Sequence, residues 1–295
     1  MKFSQSIRRT SQIDNFIITS NVVTYVLLPS SKLKSPMIIA IIAIFAALYF
    51  ILSLLPGIPV VGFPAIKIQL EASIASIYGV LLGPYLGAFA AFLGALIATL
   101  YGSITPFSLI FIFNPAANAL TSGFLAQRKW SYAFTIFALT ILGFWLTPVS
   151  NPIVTHWYVA LAATFDKIIA LMLILLLWWY IRGGKVLSTG MSMPKLTLSL
   201  FIIAFIGNQM DSALGCLIFA LPPVYHGLFG LSTETTRMLF TVSPLIYPAI
   251  RLLQAIVASI LGLPLVKAFE ICGLGYWVER RETRKPLRKA LLARR

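Results

Sequence analysis

Eight predominantly apolar segments follow one another along this chain of 295 residues. A helix needs about 20 such residues to cross the hydrocarbon core of a bilayer. We predict spans at 36–56, 65–83, 84–101, 107–126, 131–149, 157–181, 196–222 and 244–269. The second and third spans meet at Gly83-Pro84 and are predicted to form a tight helical hairpin. The pattern therefore predicts an all-α bundle of about eight transmembrane helices.

Composition excludes the other common classes of protein. The chain is 59% hydrophobic and 11% charged, whereas an ordinary soluble domain is about 25% charged. So few charges cannot cover a soluble exterior, which excludes a soluble enzyme, a disordered chain and a fibrous protein. We therefore expect a multi-pass protein of the cell membrane.

Lys and Arg set the expected orientation, because cytoplasmic loops are enriched in them. With both termini cytoplasmic, 19 of the 23 basic residues fall on the inner side. We divide the chain into a cytoplasmic extension (1–35), a transmembrane domain (36–269) and a basic cytoplasmic tail (270–295). The net charge of +15 is therefore explained by membrane orientation and by attraction of the basic residues to lipid headgroups. We expect no binding to nucleic acid.

Polar and charged residues inside the spans are the candidates for function, because they are costly in a membrane. In the predicted topology several of them lie roughly 9–16 Å below the outer helix ends. We expect them to form a substrate pocket that opens to the outside, although a purely structural ion pair such as Asp211 with Arg251 would also explain single residues. The pocket candidates are Lys67, Glu71, Asn114, Asn118, Asp166, Asp211, Arg251 and Gln254, with Lys167, Asn208 and Gln209 beside them.

Small residues mark two helix surfaces. Ala40, Ala43 and Ala47 fall on one face of the first span, and a repeat of Gly and Ala at four-residue spacing begins at Gly83. Small side chains permit close helix packing in membranes. For the Gly/Ala repeat we favour packing within the chain, whereas the alanine face fits either internal packing or a docking partner.

Several catalytic patterns are absent from the sequence. It contains no Gly-x4-Gly-Lys-Ser/Thr phosphate loop and no Gly-x-Ser-x-Gly elbow. His156 and His226 stand apart from any cluster of Cys or carboxylate residues. We therefore expect no enzyme activity, no metal site and no cofactor, and we expect any ATP hydrolysis to occur on another chain.

Three stretches carry a family resemblance: 43–62, with Pro56-Gly-Ile-Pro; 66–71, which ends at Glu71; and 79–94, with Gly-Pro-Tyr-Leu-Gly. They resemble the substrate-binding S components of energy-coupling-factor (ECF) vitamin transporters. The last span, 244–265, is similar to the closing helix of that family.

The resemblance implies a six-helix core, so two of the predicted eight helices form an extra pair within 131–222. It implies a subunit that binds a vitamin or cofactor precursor outside and docks a transmembrane T component and two ATPase subunits. The family's Ala-x3-Ala docking motif matches Ala43 and Ala47. We expect the first outside loop, Pro56–Ala65, to be a lid over the pocket.

An alternative from a different class stays open. Asp166, Asp211 and Arg251 could serve a self-sufficient, ion-coupled secondary transporter for a small organic solute. Inverted repeats would favour that interpretation, and none is evident in the sequence.

Overall fold

The computed structural model describes residues 35–60, 63–68, 71–102, 106–180, 187, 191–272 and 274. The predicted extension and nearly all of the basic tail lie outside these residues. The helices are α1 (Ser35–Ser53), α2 (Glu71–Leu82), α3 (Pro84–Tyr101), α4 (Pro106–Ile110), α5 (Asn114–Ala126), α6 (Trp130–Trp145), α7 (Ile153–Tyr180), α8 (Met193–Phe219), α9 (Thr233–Val242) and α10 (Tyr247–Ile271). The strands are β1 (Ile58–Val60) and β2 (Phe63–Ile68).

Six helical segments of the described chain are long and apolar enough to cross a membrane: α1, α3, the segment from Ser108 to the end of α5, α7, α8 and α10. Two further apolar helices are shorter, α2 with 12 residues and α6 with 16. The helical membrane fold is thus confirmed. Eight crossings, the division into a six-helix core and an extra pair, and the cytoplasmic position of both termini stay predictions.

The region from 56 to 70 differs from the sequence prediction. We expected a helix over 65–83, but β1 and β2 form an antiparallel hairpin and the helix begins only at Glu71. Residues at the start of the predicted helix pair with β1 instead, Lys67 with Pro59 and Ile68 with Ile58, and β-branched residues such as Ile66 and Ile68 favour strands. Counting apolar residues alone missed this break. The expected lid is therefore largely a β-hairpin.

The centre of the bundle is α2. It packs against α3, α5, α8 and α10, and α1 covers α2 and α3. Although only 12 residues long, α2 is buried along almost its entire length. The α6–α7 pair packs beside this group, with α6 against α5 and α8 and α7 against α8. Residues that begin α2 are therefore surrounded by four other helices.

A second, smaller apolar cluster joins the ends of α6, α7 and α8 to the segment that contains α9. It includes Phe144, Val159, Tyr225 and Phe240. The guanidinium of Arg237 on α9 fastens this segment by donating to three backbone carbonyls of the α6–α7 connection. These belong to Pro148 (3.1 Å), Val149 (3.0 Å) and Asn151 (2.6 Å).

Glycine at position 79 allows α2 and α5 to touch through their backbones. A Cβ there would overlap the carbonyl oxygen of Ala119 and lie 2.8 Å from the backbone nitrogen of Gly123. We expect Gly79→Ala to lower the free energy of unfolding by about 1–3 kcal/mol, because backbone atoms cannot move aside as side chains do. Thermal unfolding in detergent measures it. Gly227→Ala is the control, because a Cβ at 227 meets nothing within 4 Å; equal melting temperatures for both variants would contradict the assignment.

Candidate functional site

Four helices bring polar side chains into the interior of the bundle: α2, α5, α8 and α10. The side chains that the structure buries there are Glu71, Asn118, Asn208, Gln209, Asp211, Arg251 and Gln254. Asn114, at the start of α5, is half-buried. α2 packs against the other three helices, so the helices that carry these residues form one group.

An ionic contact links α8 to α10. Nη1 of Arg251 lies 3.5 Å from Oδ1 of Asp211 and donates to Oε1 of Gln254 at 2.8 Å. Gln254 lies one turn after Arg251 on α10, so the two side chains share a face. Nε of Arg251 has no partner among the described residues. The structure thus contains the pair that the sequence prediction named as a structural possibility, and it leaves one guanidinium donor unused.

Asn118 links three helices. Its Nδ2 donates to the carbonyl of Ala72 on α2 and to Oδ1 of Asn208 on α8, both at 2.9 Å, and its Oδ1 accepts from Ser122 at 3.2 Å. Gly207 makes room for this arrangement, since a Cβ there would overlap Asn118 and Ser122. These bonds occupy the Asn118 carboxamide, so it is better suited to holding the helices in register than to binding substrate.

Glu71 and Asn114 stand at the first residues of α2 and α5. Oε2 of Glu71 and Oδ1 of Asn114 are buried and have no hydrogen-bond partner in the described part of the chain. The carboxylates of Glu71 and Asp211 are close enough to repel each other, and the side chain of Tyr49 on α1 is close enough to interact with both charges. Tyr49 is not among the predicted candidates, because a single tyrosine in an apolar span carries no distinguishing signal.

Asp166 and Lys167 lie apart from this group, on α7. The two side chains pair with each other, with Nζ of Lys167 2.8 Å from Oδ1 of Asp166, and both are buried. The helix packs against α6, α8 and α9. The sequence prediction placed Asp166 in one pocket with the other candidates, whereas the structure places it on the helix that packs along another side of α8.

Lys67 lies on strand β2, where it pairs with Pro59 of β1. The sequence prediction had placed it inside the second span. It lies four positions before Glu71, so the hairpin adjoins the start of α2.

The alanine face of α1 is directed away from the bundle. Ala40, Ala43 and Ala47 are exposed, whereas Phe45 and Tyr49 point into the core. Phe45 accepts a hydrogen bond at its carbonyl from the hydroxyl of Tyr78 (2.7 Å), which fixes α1 against α2. The alanine face is therefore available for a contact beyond this chain. The three alanines do not pack inside the bundle.

Buried polar atoms without partners distinguish this bundle from an apolar helical core. Among the described residues they include atoms of Glu71, Asn114, Asn208, Gln209 and Arg251. Leaving such groups unpaired costs free energy, and native proteins rarely do so without a ligand or ordered water. We therefore expect a polar ligand or ordered water to complete the hydrogen bonds of these atoms.

Residues 34–177 match the family model of the ECF-type riboflavin transporter, S component. The resemblance seen in the sequence is confirmed: over these 144 residues the chain matches an ECF S component. It is thus a substrate-binding membrane subunit of a transporter, not an enzyme, and a multi-pass protein of the cell membrane. No curated protein and no solved structure matches it significantly.

The matched segment begins just before α1 and ends within α7. It includes α6, which lies in the region where the sequence prediction placed the extra helix pair. The similarity that we noted in the last span lies beyond the match, so that part of the resemblance stays a prediction.

Proposed function

We propose that this chain captures riboflavin, or a vitamin of closely similar chemistry, from outside the cell and delivers it to an ATP-driven transport complex. The name of the matched family supports the substrate class. The observation that carries the proposal is the set of buried polar atoms without described partners on α2, α5, α8 and α10. A ring system with several donors and acceptors would complete those hydrogen bonds.

The proposed site consists of Glu71, Asn114, Asp211, Arg251 and Gln254. Asn118 holds the helices around it, and the hairpin that carries Lys67 closes it from outside. The apolar residues of the core supply surface for an aromatic ring, and the charged groups on α8 and α10 supply orientation. A combination of apolar surface and a few placed polar groups is typical of small-molecule sites.

Direct titration tests the proposal. The full chain, purified in detergent, is titrated with riboflavin while the flavin fluorescence is recorded. We expect saturable quenching at one flavin per chain. Absence of quenching, together with a different molecule found by mass spectrometry on the purified protein, would overturn the assignment of riboflavin while leaving the family unchanged.

The energy for uptake is proposed to come from other subunits. The exposed alanine face of α1 is the proposed contact for a transmembrane T component, which in turn binds two ATPase subunits. The exposed side chains of Ile39, Ile44 and Ile51 flank these alanines. Small residues between larger ones form a shallow groove into which another helix can pack closely.

We expect the isolated chain to bind substrate without accumulating it. Vesicles that contain only this chain should hold no more flavin than the chain binds at equilibrium. The reason is that the sequence contains no phosphate loop for ATP hydrolysis. Vesicles with the T component and both ATPases should accumulate flavin when ATP is added. Accumulation by the chain alone under a proton or sodium gradient would favour the secondary-transporter alternative.

A further inference from the structure

Two adjacent cations, Arg128 and Lys129, stand in the short turn between α5 and α6. α5 is part of a segment that is long and apolar enough to cross a membrane, and α6 is also an apolar helix. The turn that joins them therefore lies where the bundle meets the membrane surface. Both cations are exposed, and the sequence contains no Asp or Glu between Glu71 and Asp166.

The backbone of the turn holds both cations in a fixed place. The amide of Arg128 donates to the carbonyl of Leu125 (3.0 Å), and the amide of Lys129 donates to the carbonyl of Phe124 (2.8 Å). In this pattern of helix ending the first of the two residues is left-handed, and glycine usually stands there. Arg128 adopts that conformation with a φ of 62°. The chain thus keeps a cation at a position where glycine would avoid backbone strain.

Aromatic rings from three helices lie beside the lysine. Nζ of Lys129 is 5.9 Å from the ring centroids of both Tyr85 on α3 and Phe124 on α5. Tyr85 meets Phe124 edge to face at 5.8 Å, and Phe124 stacks on Tyr132 of α6 at 5.5 Å between centroids. The rings attract the ammonium group and orient it, but they supply no oxygen acceptor for its N–H groups.

Close packing of α3 and α5 makes these residues one surface. A Cβ at Gly123 would lie 2.5 Å from Cα of Pro84, so the end of α5 lies against the first residue of α3. Phe124 is buried, whereas Tyr85 and Tyr132 are 43% and 59% exposed. The buried ring therefore fixes an exposed tyrosine on each side of it. Exposed tyrosines are typical of the membrane–water interface, where the ring is in an apolar layer and the hydroxyl is in water.

Apolar surface continues from each tyrosine toward the hydrocarbon layer. Phe89 follows Tyr85 by about one turn on α3, Leu139 follows Tyr132 by about two turns on α6, and both are exposed. An acyl chain can lie along these residues while its headgroup reaches the two cations. A phosphodiester group complements the cations, because its oxygens are anionic and accept hydrogen bonds from ammonium and guanidinium groups.

We propose that the α5–α6 turn binds the headgroup of an anionic phospholipid. Lys129, held by the rings of Tyr85 and Phe124, and the adjacent Arg128 bind the phosphate, and the exposed tyrosines flank the headgroup. The sequence predicts this turn on the cytoplasmic side, so the lipid belongs to the inner leaflet. Neither the site nor its test depends on which substrate the chain transports.

Competition between two phospholipids tests the site on the full chain. The chain in detergent is incubated with equal amounts of phosphatidylglycerol, which is anionic, and phosphatidylcholine, which has no net charge. Native mass spectrometry then gives the ratio of the two bound lipids. We expect wild type to favour phosphatidylglycerol, and Lys129→Gln and Arg128→Gly each to lower the ratio by about fivefold, as expected for one basic residue at a membrane surface. Glycine accepts the left-handed conformation, so Arg128→Gly removes the charge without straining the turn.

Lys195→Gln is the matched control. Lys195 is exposed in the first turn of α8, on the same predicted side of the membrane. We expect this variant to keep the wild-type ratio, since it loses one positive charge outside the proposed site. An equal loss in Lys195→Gln would indicate attraction to overall charge and would overturn the site.

Three further outcomes would contradict the proposal. The first is a wild-type chain without preference between the lipids, and the second is an unchanged ratio in Lys129→Gln. If the variants at 128 and 129 lower only the melting temperature, the cations serve the negative end of the α5 dipole instead. The third is displacement of phosphatidylglycerol by inorganic phosphate at constant ionic strength, which would assign the turn to a free anion.

Discussion

Arg251→Ala is expected to lower riboflavin affinity by at least about tenfold, because losing a hydrogen bond to a charged group costs about 1.5–3 kcal/mol. The guanidinium is buried, is held by Asp211 and Gln254, and retains a donor, Nε, with no described partner. Those features fit a group that is fixed in place and still able to bind a ligand. Fluorescence titration of the purified variant measures the change.

A double-mutant comparison separates binding from packing. Removing one partner of a buried ion pair is strongly destabilising, because the other charge is left uncompensated. Arg251→Ala and Asp211→Asn should therefore each reduce the amount of folded protein, and the double variant should recover part of it. If Arg251 contacts substrate, the double variant stays weak in binding although it folds. If the double variant recovers both folding and wild-type affinity, the pair is purely structural and the site lies elsewhere.

Ala43→Trp and Ala47→Trp are expected to abolish co-purification with the T component and transport, while leaving riboflavin affinity unchanged. Both alanines are exposed on α1 and face away from the interior of the bundle. An indole at either position would hold a partner helix away from the α1 backbone, and close approach is what small residues permit. Pull-down of the complex and ATP-dependent uptake in vesicles measure the effect.

The control for this prediction is Leu139→Trp. Leu139 is also exposed, and it lies on α6. This helix packs against α5, α7 and α8 and is not among the helices that pack against α1. A tryptophan there should face lipid and leave the complex intact. Normal complex recovery with both α1 variants, or equal loss with Leu139→Trp, would remove the docking role from the alanine face.

The site could be predicted from the sequence only as a set of candidates. Polar residues in apolar spans are visible because they are rare there, and Glu71, Asp211 and Arg251 were identified in this way. Their partners were not, except as one possible pair. Which of two polar residues faces which neighbour depends on the rotation of each helix about its axis, and helices that are apolar on all sides give little signal of that rotation.

Asp166 shows this limit clearly. Its depth in the membrane could be estimated from its position along α7, at 1.5 Å per residue. Its surroundings could not: the structure pairs it with Lys167 at 2.8 Å, on a helix that packs against α6, α8 and α9. Depth is a property of one segment, whereas adjacency is a property of how several segments pack.

The sequence by itself determined the class of protein and most of its helices, because burial in hydrocarbon is decided segment by segment from apolar length. The small residues of α1 and the run from Pro56 to Gly94 also carried enough pattern to indicate the family. Only the tertiary structure decided that residues 63–68 pair with 58–60 in a β-hairpin, that α2 is the central helix, and that Arg251 meets Asp211. Those outcomes depend on contacts between residues distant in the chain, which no local pattern contains.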